Sequence, residues 1–598
     1  MRTLEEARTD GRLQAPHALA DGGLGNAELA GSRRERRQPR GRLENDEVVY
    51  RAYMPFEFSH NLMLFKPQGF CERGPRGSMA RMLLAPLPAG SPMSRPESRL
   101  RRPREARPAA PLAPAYVTRR IPHYALLDDE ALERIEAQAF RLLEQVGIEF
   151  RDDPDALRRW REAGAEVVGT RVRTAPELVR TLLASAPAEF TQVARNPARS
   201  VRIGGQHQVF APVYGSPFVR DLEGGRRYGT LADFQRLVKL THALAPLHHS
   251  GFVTCEPCDI PVSKRHLDML FAHMTLTDKP HLGAITEKSR AEDTVAMARL
   301  LHGPEVFDAN CVILGNVNTN SPLLVDKVVT EAAAVYCGAG QGLIAVPFIL
   351  SGAMGPVTTA AAIAQALAEA MIVGAFTQLV RPGAPFILGN FLSSMNLRSG
   401  APTFGMPEPL LSNLAIGQLA RRLNLPLRCG GALTASKVPD FQAAAESADS
   451  MLSTILGGAN FVLHAAGWLE GGLSTGYEKL VLDADRLGAY ETVLRGFDTS
   501  DDQLGADAYS DVEPGGHFLG SAHTLRHYSS AFYEAQLSDS NSVEQWEEQG
   551  SKDAARRAYE RWNRLLAEYE APALDPARRE ALEDFVARRK AALPDAWY

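Results

Sequence analysis

Eight times in succession between residues 208 and 497 a short apolar run is followed by a helical pattern, and this alternation constrains the fold more than anything else in the chain. The apolar runs are 208–214, 248–255, 281–286, 311–317, 343–350, 384–390, 425–431 and 460–466. The helical patterns that follow them are 231–243, 262–276, 290–301, 324–337, 358–380, 408–423, 441–456 and 478–497. Strands that alternate with helices predict a parallel sheet, and eight such units close a barrel. A doubly wound open sheet is the alternative. It would normally bring a phosphate-binding glycine loop after an early strand, and no G-x-G-x-x-G or P-loop occurs in the chain. The predicted fold is therefore α/β: a (β/α)8 TIM barrel over 201–510, preceded by an N-terminal helical cap over 115–200. Residues 511–598 form a C-terminal loop and helices that pack on the barrel or on a partner.

Residues 1–114 differ from the rest, because Arg, Pro and Gly dominate and no hydrophobic period is present. They read as a disordered tail, or as translated from a start placed too early, with Met79, Met82 or Met93 the true one. Ordering a backbone costs roughly 1 to 2 kcal/mol per residue, and this segment lacks the apolar surface to offset it. A chain beginning near Ala115 is expected to melt at an unchanged temperature; a drop of several degrees would show that the tail packs on the barrel. The remaining composition, 45% hydrophobic and 23% charged, is that of a soluble globular enzyme. A formal net charge of -5 argues against a nucleic-acid binder. No apolar run approaches the roughly 18 to 20 residues of a membrane span, and the start lacks the apolar core of a secretory signal. Six scattered cysteines do not make a disulfide framework. A cytoplasmic homo-oligomer is the expectation.

In such a barrel, active sites lie at the C-terminal ends of the strands. The eighth apolar run delivers His464, Trp468, Glu470 and Tyr477 into a glycine-rich loop. Aromatic faces and a carboxylate together attract a cation, worth about 2 kcal/mol over a desolvated ring. Alternatively Trp468 plugs the barrel end and Glu478 caps the next helix. As a loop ring, Trp468 is expected to be removable without loss of the fold. The run GNVNTNSPL supplies Asn316 and Asn318, which suit hydrogen bonding to a small carboxylate, or stabilise their own turn. Asn390 ends the sixth apolar run. Lys437, after the seventh, could form a Schiff base if desolvated, or pair with Asp440. Cys255 and Cys258 form a lone C-x-x-C without the further ligands that zinc requires, and His517, His523 and His527 lack an adjacent acidic base. No metal site is expected.

Five stretches identify a family. NTNSPL, SGAMGPVT, FILGNFLSSMNLRSGAPTFGMPE, HAAGWLEGGLSTGYEK and GGHFLGSAHT, in this order, resemble the trimethylamine methyltransferase family across roughly 116–592. The resemblance implies a (β/α)8 barrel that moves a methyl group from a methylamine or quaternary amine to the cobalt of a separate corrinoid protein. Cobalamin is then carried by that partner, and this chain binds no cofactor of its own. Family members from methane-producing organisms carry pyrrolysine near the position of Ser436–Lys437, where this chain has only standard residues. That departure resembles the branch acting on glycine betaine and similar quaternary amines. Removing a methyl from a quaternary nitrogen needs no general base, so the protein has to hold the cation in a dry aromatic site and anchor any carboxylate. Trp468, Tyr214, Tyr477 and Phe404 are the expected cage. Asn316, Asn318, Asn390, Glu470, His464 and Lys437 are the expected polar groups, with Lys437 and His464 the candidates for a catalytic role. A lysine-dependent barrel lyase or aldolase, and an idle binder of quaternary amines, are the alternatives.

Overall fold

The computed structural model describes residues 114–597, so the segment 1–113 lies outside the described residues. The parallel core is built from runs buried on both faces. Its strands are β1 (His207–Phe210), β2 (Leu282–Gly283), β3 (Leu314–Thr319), β4 (Gly342–Ser351), β5 (Phe386–Gly389) with its continuation β6 (Phe391–Met395), β7 (Leu427–Gly430) and β8 (Phe461–Leu463). They pair in the order β2-β3-β4-β5-β7-β8-β1, every pair parallel. The expected second strand, 248–255, forms no regular strand, because Gly251 at φ 70° breaks the extended run. Its backbone still bonds to both neighbours. The His248 and His249 N–H groups donate to the Phe210 carbonyl at 2.9 and 3.1 Å, and Leu282 N–H donates to the Gly251 carbonyl at 2.9 Å.

Thirteen helices matter to the argument: α1 (Asp129–Arg141), α2 (Pro154–Glu162), α3 (Pro176–Leu183), α4 (Leu231–Ala243), α5 (Val262–Leu276), α6 (Lys288–His302), α7 (Lys327–Gly338), α8 (Thr359–Val380), α9 (Pro407–Arg422), α10 (Phe441–Gly457), α11 (Tyr477–Arg495), α12 (Ala554–Ala567) and α13 (Pro576–Ala592). Their ends follow local chemistry. Thr230 and Asp233 form a reciprocal capping box on α4, and Asp440 caps α10 by accepting from Ala443 N–H. Helices α9 and α10 touch backbone to backbone: a Cβ on Gly417 would sit 2.0 Å from the Gly457 carbonyl oxygen, so only glycine fits. Helix α8 is 22 residues long and apolar on all sides, long enough to cross a membrane by composition, contrary to the sequence reading. It is buried in the protein, between β4 and helices α1, α3 and α7. Its Glu369 carboxylate accepts from Thr319, Ser321, Gln365 and the Leu323 N–H, which ties down the loop after β3.

The 115–200 region is not purely helical. Between α1 and α3 lie the strand Ile148–Phe150 and the hairpin Glu166–Val168/Arg171–Arg173, antiparallel to one another in a sheet that Leu324–Val325 joins in parallel. The β-branched residues of EVVGTRVR flank a turn at Gly169 (φ 61°), which favours a hairpin over a helix. At the other end, the short helix Val543–Glu548 and α12 are separated at Gly550, whose φ is 93°. Helix α12 packs on α4 and α11, and α13 packs on α5 and α6.

Candidate active site

At the C-terminal ends of the parallel strands lies a cavity of about 430 Å³, within the size range of a small-ligand site. Each wall comes from a strand end. Tyr214 follows β1, Asn316 and Asn318 lie on β3, Phe348 and Leu350 on β4, Phe391 on β6, Arg428 on β7 and His464 just past β8. Phe404, Lys437, Trp468 and Glu470 close the cavity from the loops. Trp468 begins a short strand, β9 (Trp468–Leu469), paired antiparallel with β10 (Ser474–Gly476). It is 5% exposed, its Nε1–H donates to the Thr434 carbonyl at 3.1 Å, and a Cβ on Gly472 would fall 2.4 Å from its ring. The ring is a clamped wall rather than a mobile loop group.

The rings meet at close range. Trp468 lies edge-on to His464 at 4.4 Å, to Phe404 at 5.4 Å and to Phe391 at 5.8 Å between centroids. Phe391 stacks on His464 at 5.3 Å and touches Phe348 at 5.2 Å. This is an aromatic box of the kind that desolvates and holds a cation. His464 is set by an unusual backbone, φ 59°, held by its N–H donating to Pro212 and its carbonyl accepting from Ala432.

At the base of the box sits a charge. The Arg428 guanidinium is 1% exposed, lies 5.1 Å from the Phe391 ring centroid and donates to the Asn390 carbonyl at 3.3 Å. A second nitrogen is 3.0 Å from His464 Nε2. Its Nε–H is buried without a partner, and among the described residues it forms no ion pair with a carboxylate. Burial brings its pKa down to about 10. Asn316 Oδ1, facing the same cavity, is also buried without a partner. Burial, then the Arg428 charge, pushes His464 well below its ordinary value. Tyr214 N–H donates to one ring nitrogen at 3.2 Å and the Arg428 guanidinium lies 3.0 Å from the other, so a second ring proton is disfavoured and the imidazole is held neutral. Burial raises the Tyr214 hydroxyl, with the Glu256 carboxylate adding to it.

The rim carries the opposite sign. Burial pushes the Glu470 carboxyl up, but hydrogen bonds from Arg226 at 2.7 Å and Ser474 at 2.6 Å, with the charges of Arg226 and Lys437, outweigh it and hold the group below its ordinary value. The cavity thus runs from a buried cation at the base, past aromatic faces, to a carboxylate at the rim.

Of the residues singled out in the sequence, Tyr214, Asn316, Asn318, Phe404, Lys437, His464, Trp468 and Glu470 line this cavity. Two do not. Tyr477 opens α11 and points away from the cavity, its hydroxyl donating to Asp233 Oδ1 at 2.8 Å and its ring packed on Trp562. Asn390 is buried between strand and helix, its amide donating to Asn413 at 2.9 Å and Ser412 at 3.3 Å. The expected Lys437–Asp440 pair is absent, because Asp440 is taken by the Ser436 hydroxyl and the Ala443 N–H. Lys437 itself is exposed at the rim. The residues that sequence reasoning missed are Arg428, Phe348 and Phe391. Arg428 had a signal: it is the lone charge inside an apolar strand, LPLRCGG.

Comparison with known proteins places the chain. The family model "Trimethylamine methyltransferase (MTTB)" matches residues 95–594. The glycine betaine methyltransferase of Desulfitobacterium hafniense (strain Y51) is 37% identical over 470 residues, covering 78% of this chain and 98% of that protein. The trimethylamine methyltransferase MttB of Desulfitobacterium hafniense (strain DSM 10664 / DCB-2) is 26% identical over 445 residues, covering 74% and 89%. The proline betaine:corrinoid methyltransferase of Eubacterium limosum is 26% identical over 488 residues, covering 79% and 99%. With a match across most of its length, the chain belongs to the trimethylamine methyltransferase family.

Proposed function

We propose that this protein transfers one methyl group from a carboxylated quaternary amine of the glycine betaine class to the cobalt of a corrinoid carried by a separate protein. The observation that carries the reading is Arg428, a buried guanidinium that has no carboxylate partner among the described residues, at the base of an aromatic box. An unpaired buried charge is expensive and repels a bare cation. A zwitterion resolves both problems, with its carboxylate on Arg428 and its ammonium among Trp468, Phe404 and Phe391, below Glu470. Asn316, with its amide turned to donate, adds a hydrogen bond to the carboxylate. His464 positions the guanidinium rather than touching substrate.

The methyl then faces the cavity mouth. The acceptor supplies the nucleophile that takes the methyl carbon; the C–N bond breaks, and its electron pair stays on nitrogen as a tertiary amine. No proton moves, which fits a cavity whose histidine is held neutral. A cavity of about 430 Å³ takes the amine and not a corrin ring, so the acceptor has to arrive on another protein. On this reading the parallel strands close into a (β/α)8 barrel through 248–251, supported by the hydrogen bonds of that segment to β1 and β2. Five free cysteines among the described residues suit a reducing cytoplasm. A Schiff-base mechanism is disfavoured, since it needs a desolvated amine and Lys437 is exposed.

Two measurements check the reading. Glycine betaine incubated with the full chain and its reduced corrinoid protein should yield dimethylglycine by mass spectrometry; consumption of trimethylamine with betaine untouched would contradict it. The pH profile of betaine binding should be flat over about pH 6.5 to 9, because His464, Tyr214 and Glu470 are shifted away from neutrality and Arg428, though lowered, stays charged there. Arg428 has to be charged to hold a carboxylate, so affinity should fall only as pH rises through about 10. A limb near pH 7 would reveal a titrating base and sink the mechanism.

A further inference from the structure

Residues 497–536 form an arm that leaves the end of α11 and returns to its middle, where the Tyr533 hydroxyl donates to the Asp485 carbonyl at 2.6 Å and Gln536 N–H donates to the Asp485 carboxylate at 2.8 Å. The arm is ordered by polar ties rather than by a core. Arg526 donates to Asp507 at 2.8 Å and Asp502 at 3.3 Å, and His523 Nε2 sits 3.0 Å from the Asp502 carbonyl. Its apolar side chains point outward instead. Phe497, Tyr509, Leu519, Leu525, Tyr528 and Phe532 are each between 69% and 90% exposed. Together such side chains present roughly 800 Å². That is more than a lone protein usually leaves in water and is the share each partner contributes to a stable interface.

A receiving surface lies on the same chain. Between α10 and α11, beside the return of the arm at Leu537 and Ser538, the described residues leave a groove of about 500 Å³. Its walls are the small residues Ala444 and Ala448 with Met451, Leu482 and Leu487, and Phe441 stands over it 87% exposed. The charges at its floor are already satisfied: Lys479 Nζ is 2.6 Å from Asp483 and 2.9 Å from Ser447, and Asp483 also accepts from Gly467 N–H. The groove therefore asks for an apolar guest. We propose that this protein assembles with a second copy of itself, each copy laying its 497–536 arm into the α10–α11 groove of the other. Two arms exchanged about a two-fold axis close the assembly.

Position separates the root of the arm, though not the groove, which begins at Pro439–Phe441 on the side of the cavity mouth, from the surface a corrinoid protein must use. The arm leaves α11 where the Leu494 carbonyl accepts from Arg120 N–H at 2.7 Å, next to the start of β1. That is the opposite end of the strands from the cavity mouth.

The test is the mass of the full chain in solution by light scattering at micromolar concentration. Wild type should run at about twice 65.2 kDa or a multiple of that. The arm variant Leu519→Asp/Phe532→Asp and the groove variant Phe441→Asp should each run at 65.2 kDa with unchanged circular dichroism, since every altered residue is exposed in the single chain. Hydrogen exchange of wild type adds a readout free of mutation: amides of 497–536 should gain protection as concentration rises. A monomeric wild type, or an arm variant that stays assembled, would overturn the proposal. Dissociation by the arm pair but not by Phe441→Asp would replace it with arm-to-arm contact. An unchanged mass with methyl transfer to the corrinoid protein abolished would assign the arm to that partner instead.

Discussion

Arg428→Met is expected to weaken glycine betaine binding by two to three orders of magnitude while leaving the protein as stable as wild type or more so. Removing one partner of a buried, hydrogen-bonded charge pair costs about 2 to 5 kcal/mol, which is roughly thirtyfold to several thousandfold in affinity. In the free protein the same residue is a liability, because its charge is out of water with no counter-ion among the described residues. Methionine keeps the length and packing against Phe391 and removes the charge, as when buried ionic groups are replaced by apolar ones of similar volume. Arg428→Lys keeps the sign but not the fork held by Asn390 and His464, and should retain only part of the affinity. A purely structural arginine predicts the opposite pattern: melting would fall, and binding would follow only in proportion. Thermal melts paired with titrations of betaine into each variant separate the two.

The second large effect is at Trp468. The sequence placed this ring in a loop, where truncation would spare the fold, but the structure buries it and bonds its indole to Thr434. Trp468→Ala is now expected to cost about 3 to 5 kcal/mol of stability, so lost binding in that variant says little. The informative pair is Phe and Leu, which both fill much of the space. Leu offers no negative ring face and should lose about 2 kcal/mol of cation binding, roughly thirtyfold. Phe, with a weaker face, should lose distinctly less. Equal binding by folded Phe and Leu variants would show that the ring acts through bulk alone and is no part of a cation cage.

Periodicity made the strand-helix succession legible because each apolar run was short and bounded by turns, and residues in or just after six of the eight runs converge on one cavity. Direction was harder to read. Tyr477 follows its strand closely in sequence, yet it is the first residue of α11 and its hydroxyl answers Asp233. Asn390 follows β5 on the side facing α9, where Asn413 takes it. Phe348 lay inside a run buried on both faces and Phe391 one residue past another, where no polar alternation says which way a side chain turns. Arg428 was passed over as part of an apolar strand, although a single charge in such a strand has either to be paired or to serve a ligand. The hairpin in the 115–200 region was lost to a helical reading of its flanks.

The most direct measurement compares two quaternary amines of similar size that differ in a carboxylate. At roughly 6 Å and an effective dielectric near 20, Arg428 repels a bare quaternary ammonium by about 3 kcal/mol, whereas in glycine betaine the carboxylate is paired with that same charge. Calorimetric titration of the full chain is expected to find glycine betaine bound at least a hundredfold more tightly than tetramethylammonium, with the gap nearly closed in Arg428→Met. Tetramethylammonium binding the wild-type protein as tightly as betaine would contradict the account.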